Sequence, residues 1–210
     1  GTLTGNISSG AAGTQILTFG TSASASTCAS RGVIGGGTGD IALKVAYGTI
    51  TLSGPAANTY TNTTTITGGT LYVGKTTNIV SIPGAVSFNG AGANVNFICQ
   101  SNNQFSSSSV INMDGAANYP RFYLEGTTQT VAGVNNTSGN GVIENSEPGV
   151  AGPSVSGEGT LILGGSGIYS FNGYLRGSTG TLALKKTGTG TQTLAGVNIT
   201  YTGPTTVNGG

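Results

Sequence analysis

Thr128-Gln129-Thr130-Val131-Ala132-Gly133-Val134-Asn135 returns almost unchanged as Thr191-Gln192-Thr193-Leu194-Ala195-Gly196-Val197-Asn198, with only Val131 and Leu194 differing. Thr160-Leu161-Ile162-Leu163-Gly164 falls midway, so the three segments open at Thr128, Thr160 and Thr191 in nearly equal steps. A longer match, at one common offset, pairs Ile41-Ala42-Leu43-Lys44 with Leu182-Ala183-Leu184-Lys185 and the stretch 59–69 with 200–210. Each copy is a short alternating run closed by Gly, Asn or Ser, the pattern of a half-buried strand and its turn. Thr49-Ile50-Thr51-Leu52 and Gly69-Thr70-Leu71-Tyr72-Val73 read the same way. Such a unit cannot bury an apolar face alone, but stacked copies can. The expectation is an all-β solenoid with coils of about 31 residues, Leu, Ile and Val inward, Thr and Asn outward, and Gly at the corners.

Composition supports stacking. Among 210 residues there are 7 Lys and Arg and 6 Asp and Glu, where an ordinary chain of this length has about 52 charged residues. In a stack, equivalent positions lie about 4.8 Å apart, so a repeated charge faces its own copy, whereas Thr and Asn ladders hydrogen-bond. The 39 glycines follow no triplet period, which excludes collagen. No apolar run approaches the roughly 20 residues of a membrane helix. A net charge of +1 without a basic cluster argues against nucleic acid as a partner. With no His and only two Cys, most metal and nucleophile chemistry lacks its side chains. One domain spanning 1–210 is expected, with no cofactor and no membrane-spanning segment.

The segment 190–196 followed by Tyr201-Thr202-Gly203-Pro204-Thr205-Thr206-Val207-Asn208-Gly209-Gly210 resembles the autotransporter-associated β-strand repeat, also called the passenger-associated transport repeat. Lys186-Thr187-Gly188-Thr189-Gly190 fits the opening of that repeat, and Gly48 to Val73 reads as a second copy. Asn62 stands where the repeat has Gly after Tyr-Thr, and Ile199 stands where the first copy has Asn58. The resemblance implies a right-handed parallel β-helix on a secreted or surface-exposed bacterial protein, so the expected location is extracellular or the bacterial cell surface.

Joining Asn208-Gly209-Gly210 to Gly1-Thr2-Leu3-Thr4 approximately recreates the internal Thr67-Gly68-Gly69-Thr70-Leu71-Tyr72. This marks Gly1, Thr2, Leu3, Val207, Asn208, Gly209 and Gly210 as an assembly joint, in which one unit completes the strand of the next, either within a longer array or between copies in a fibre. Self-association is therefore the expected partnership, with glycans as the alternative partner.

Enzymatic readings need paired carboxylates, or a Ca²⁺ cluster with a Lys or Arg base. The acids are Asp40, Asp114, Glu125, Glu144, Glu147 and Glu158; Glu144 and Glu147 are close in sequence, and Glu125 and Glu158 are separated by nearly one expected period. Solvated turns and ion pairs are the ordinary fate of such groups. Lys44 and Lys185 occupy equivalent repeat positions, which favours a structural role over a unique base. Cys28 and Cys99 are either one disulfide or two free thiols. Thr-x-Thr runs suit outward strand positions, and their spacing is less regular than an ice-binding array requires. Tyr60, Tyr72 and Tyr201 suit coil corners, and exposed tyrosines can stack on sugar rings. The expectation is a non-enzymatic structural solenoid that stacks end to end as a fibre, stalk or matrix. The alternative is a passenger-type adhesin, ahead of an ice-binding or polysaccharide-cleaving helix.

Overall fold

The computed structural model describes residues 1–20, 26–90, 95–115, 118–146 and 157–210. The chain winds through three parallel faces, visited in the same order on every turn, and makes about eight turns. The first face stacks Thr2–Leu3, Thr27–Ser30, Thr49–Gly54, Gly69–Lys75, Val95–Cys99, Arg121–Tyr123, Val142–Glu144 and Tyr174–Arg176. The second stacks Thr14–Phe19, Asp40–Val45, Thr64–Ile66, Val86–Phe88, Val110–Asn112 and Gly133–Asn135, and a bridge from Asn136 to Phe171 carries it on through Ile168–Phe171 to Thr191–Leu194. The third begins with Ile7–Ser8 on Ile34–Gly35 and ends with Thr128–Val131, Glu158–Leu163, Thr181–Lys186 and Thr205–Val207. Between these, Thr59 N donates to Ile34 O, Asn58 N to Val80 O, Ser81 N to Gln104 O and Asn103 N to Thr128 O, so the ladder is continuous.

The solenoid is the expected architecture; the coil length is not. Along the first face Thr51, Tyr72, Ile98, Tyr123, Glu144 and Arg176 stand one above another. Thr51 already meets Tyr72 after one turn, and typical turns lie about 23 apart rather than 31. Thr128 does stack on Thr160, the long step visible in the repeats, but Thr160 then pairs with Ala183 and not with Thr191. Thr191 pairs with Ile168 on the second face. The two nearly identical octapeptides therefore start on different faces.

Alternation drives the packing. Cys28, Ile50, Leu71, Phe97, Phe122, Ile143 and Leu175 form one inward column of the first face, in register from strand to strand. Phe97 packs on Phe105 and Phe122 at centroid distances of 5.3 and 5.6 Å, in the middle of the stack. Truncating such a ring to Ala costs about 3–5 kcal/mol. Gly48 and Gly69 turn the same corner one coil apart with φ of 76° and 74°, and a Cβ on Gly69 would stand 2.3 Å from Gly48 O, so neither backbone angle nor space admits a side chain.

Polar ladders hold the corners. Inside the third face Asn58 Oδ1 accepts from Ile34 N, Asn58 Nδ2 donates to Ser81 O, Ser81 Oγ donates to Gln104 Oε1, and Gln104 N donates to Gln129 Oε1. All four side chains are buried, and each satisfies backbone or side-chain groups of a neighbouring turn. Outside, the Asp40 carboxylate accepts from the hydroxyl and amide of Thr61 and from Asn62 Nδ2. The Thr61 bonds hold it below the ordinary Asp value. Asp114 does the same for Thr137 and Ser138 by accepting from both.

Candidate functional site

The residues of the expected joint lie at opposite ends of the stack. Thr2–Leu3 is bonded along one edge, to Thr27–Ser30, with Thr2 on Ala29 and Leu3 on Ser30, and the Gly1 ammonium donates to Thr27 O at 2.7 Å. At the other end Thr205–Val207 is bonded to Thr181–Lys186, with Leu184 on Thr205, and Asn208 N donates to Lys186 O. Leu3 is 45% exposed and Val207 70%. Leu163, Leu184, Leu194, Val207 and the backbone of Gly209 and Gly210 surround an apolar cavity of about 260 Å³. Each end thus presents strand edges and core side chains, the chemistry that a further coil would cover.

The two cysteines are free. Both stand on the first face, but three strand spacings separate them, and Cys99 belongs to the column of Ser30, Leu52 and Val73 rather than to that of Cys28. Three strand spacings make about 14 Å, far beyond the Cα separation a disulfide spans. Of the two readings left open by the sequence, the structure takes the free thiols. Burial, with the nearby Glu125 adding to it, pushes the Cys99 thiol well above its ordinary value.

Glu158 is exposed, stacks on Thr181, and stands two residues before Thr160, which pairs with Thr128 one turn below. Glu147 lies outside the described residues. Glu125 also neighbours Glu144, because Tyr123 and Glu144 are register partners on adjacent turns. Burial raises the Glu125 carboxyl; the Ser146 hydroxyl, its one hydrogen shared between the two carboxylate oxygens, opposes that shift, and the charge of Glu144 adds to it. Glu144 is fully buried. Arg176 grips it in a fork, Nε to Oε2 at 3.0 Å and Nη2 to Oε1 at 3.2 Å, and Ser178 Oγ donates to Oε2 at 2.7 Å. Three donors on one carboxylate make a cross-turn clamp, with both oxygens engaged, and this geometry suits a strut better than a proton shuttle. Among the described residues no group of three or more His, Cys, Asp or Glu is placed to hold a metal ion.

Lys75 is a buried cation that sequence reasoning missed. It is 1% exposed inside the stack, its ammonium donating to Ser53 O at 3.1 Å and Gly32 O at 3.3 Å, and burial holds it below the ordinary Lys value. A Lys closing the run Gly69–Lys75 gives no sign in sequence that its side chain turns inward.

The family model described as passenger-associated-transport-repeat matches residues 47–73 and 184–210, the two places where the repeat is read in the sequence. No curated protein and no solved structure matches the chain. The structure gives the repeat a physical meaning. Within the first match Thr49, Ile50, Thr51 and Leu52 stack on Thr70, Leu71, Tyr72 and Val73; within the second, Leu184, Lys185 and Lys186 stack on Thr205, Thr206 and Val207. Each match therefore spans one turn, and Lys44, just before the first match, stacks on Thr65 as Lys185 stacks on Thr206.

Proposed function

From two passenger-associated transport repeats, each closing one turn of a single parallel stack, we propose a structural role: the chain is a length of surface-displayed passenger rod that extends by adding coils end to end. The observation that carries this reading is the continuous parallel ladder of about eight turns that holds both repeat matches. The next coil, whether from more of the same chain or from a second copy, gains ladder hydrogen bonds and covers Leu194 and Val207. The few charges on the exterior leave little repulsion between neighbouring rods. Face order adds a geometric expectation. The strand after Thr205–Val207 falls on the second face, whereas Thr2–Leu3 opens on the first, so a copy joined as the internal repeat is joined sits one face around the axis.

Negative-stain microscopy of the purified chain across a dilution series tests it. Filaments that lengthen with concentration, and that shorten when Val207→Lys is introduced, support end-to-end addition. Single short rods at every concentration overturn self-assembly by this chain. Surface adhesion is the second reading, favoured by a tyrosine-lined notch on the first face.

A further inference from the structure

A second outward column runs up the first face through Thr49, Thr70, Asn96, Arg121, Val142 and Tyr174, all in register. Its lower part is a flat polar strip, with Asn96 Nδ2 reaching Thr70 Oγ1 at 3.4 Å. Higher up the relief changes. Val142, a short side chain, stands between two long ones, and because strands are about 4.8 Å apart, Arg121 and Tyr174 stand roughly 10 Å apart with Val142 as the floor. Tyr119 closes one side, its ring 5.6 Å from that of Tyr174 and nearly perpendicular to it at 73°. Arg176 closes the other, its guanidinium carbon 5.9 Å from the centre of the Tyr174 ring. The notch holds about 270 Å³, lined by Tyr119, Arg121, Val142, Tyr174 and Arg176.

Two features make this a built site rather than a gap between side chains. First, Arg176 is fixed by its fork on Glu144, which Ser178 holds in turn, so its guanidinium is oriented in advance. Glu144, fully buried behind it, balances the Arg176 charge, so Arg121 supplies the cation that a ligand carboxylate meets. Second, Tyr119 is 52% exposed and offers an aromatic surface at the rim of a polar cleft. A pyranose ring presents an apolar C–H face that packs on tyrosine, and a sugar acid adds a carboxylate of the shape a guanidinium fork receives. The volume lies just below the usual range for whole small-molecule ligands and suits a single ring.

The geometry points to a subsite for one acidic sugar residue, a hexuronate within a polysaccharide laid across the strands of the first face. This inference rests on the adhesion reading and names its ligand class. It uses only the flank of the rod, so it stands whether or not the ends associate.

Calorimetric titration of the intact chain with oligogalacturonate, against a neutral maltooligosaccharide of the same length, is the test. The acidic oligomer is expected to bind and the neutral one to give no heat. Tyr119→Ala is expected to weaken binding about fivefold through lost ring contact, and Arg121→Gln about tenfold through a lost charged hydrogen bond. Tyr119 is a rim residue, so its variant stays folded by circular dichroism even if Arg121→Gln does not. Equal binding of both oligomers overturns the acidic class and leaves adhesion standing. Absence of binding by either overturns adhesion as well. Acidic binding that neither variant changes overturns this site.

Discussion

Replacing Gln104 by Met is the sharpest probe of what holds the third face together. Gln104 is fully buried, and its Oε1 accepts from Lys75 N at 2.8 Å and from Ser81 Oγ at 2.6 Å, while Nε2 donates to Asn102 O at 3.0 Å. Met keeps the length and most of the volume, so no large cavity opens and the loss is confined to hydrogen bonding. An orphaned buried donor costs about 1–3 kcal/mol. The Lys75 amide has no freedom to turn elsewhere, whereas the Ser81 hydroxyl can rotate, so the Lys75 amide dominates and the expected loss is about 3 kcal/mol in all. Ser81→Ala alone removes one donor together with its need for an acceptor and should cost about 1 kcal/mol. The double variant should then lose less than the sum, because the groups share one network. Urea midpoints at unchanged slope give the totals. Amide exchange gives the location: coils contact only their neighbours, so exchange at Lys75 should accelerate while that at Leu161, more distant along the stack, stays as it was. A loss below about 1 kcal/mol with the Lys75 amide still protected would refute the idea that this glutamine satisfies the corner.

Three further outcomes follow from the same geometry. The folded Lys75 ammonium titrates below its ordinary 10.5, so between the folded value and 10.5 the unfolded chain binds more protons and stability rises with pH across that window, the burial penalty being complete below it. Lys75→Met should remove this slope and be neutral or stabilising by about 1 kcal/mol at neutral pH, read from urea midpoints of the two proteins over the same pH series. Arg176→Gln leaves Glu144 charged and buried without its fork and should cost about 3–5 kcal/mol in chemical denaturation, most of it restored by adding Glu144→Gln; equal losses in the single and double variants would sink the clamp. Thiol titration should find Cys28 modified in the native protein, Cys99 only after unfolding, and two thiols in the unfolded chain without any reductant; one thiol pair missing would contradict the register that separates them.

The fold is legible because strand alternation, Gly corners and self-similarity all point to a stack, and Leu71, Phe97 and Phe122 face inward as their positions within alternating runs require. The local repeats overstate the coil length for a physical reason. A near-perfect copy such as 128–135 against 191–198 encodes one shared strand, followed by the strand Gly133–Asn135 in one copy and by a turn in the other, and any face of the solenoid can use that strand. Counting between copies therefore measures a number of faces, not a number of turns. The right interval is present inside each long copy: the same spacing separates Leu43 from Thr64 and Leu184 from Thr205, and both pairs stack. The long step is real at this corner, since Thr128 stacks on Thr160 and so brings Glu158 level with Gly126, while the register at Tyr123 also places Glu125 by Glu144. The tyrosine notch is beyond reach for a related reason: Tyr119, Arg121 and Tyr174 converge only through a turn of irregular length.

The two repeats also show how far a module's chemistry depends on its neighbours. Tyr60 shares a hydrogen bond with Thr64 at 2.6 Å, and Tyr201 shares the same bond with Thr205, so the local geometry is written into the repeat itself. The surroundings differ. Tyr60 is fully enclosed, and burial drives its phenol far above the usual value of 10.0, while Tyr201 in the last described turn remains partly open to solvent. Thr64 is likewise buried between Leu43 and Val86, whereas Thr205, paired with Leu184, is exposed. A turn therefore specifies its own bend and strand pairing, but the dry environment that makes its Tyr–Thr bond valuable comes from the coil stacked above it. This divides the work between sequence and assembly: the repeat sets the shape of each coil, and each added coil stabilises the one before it.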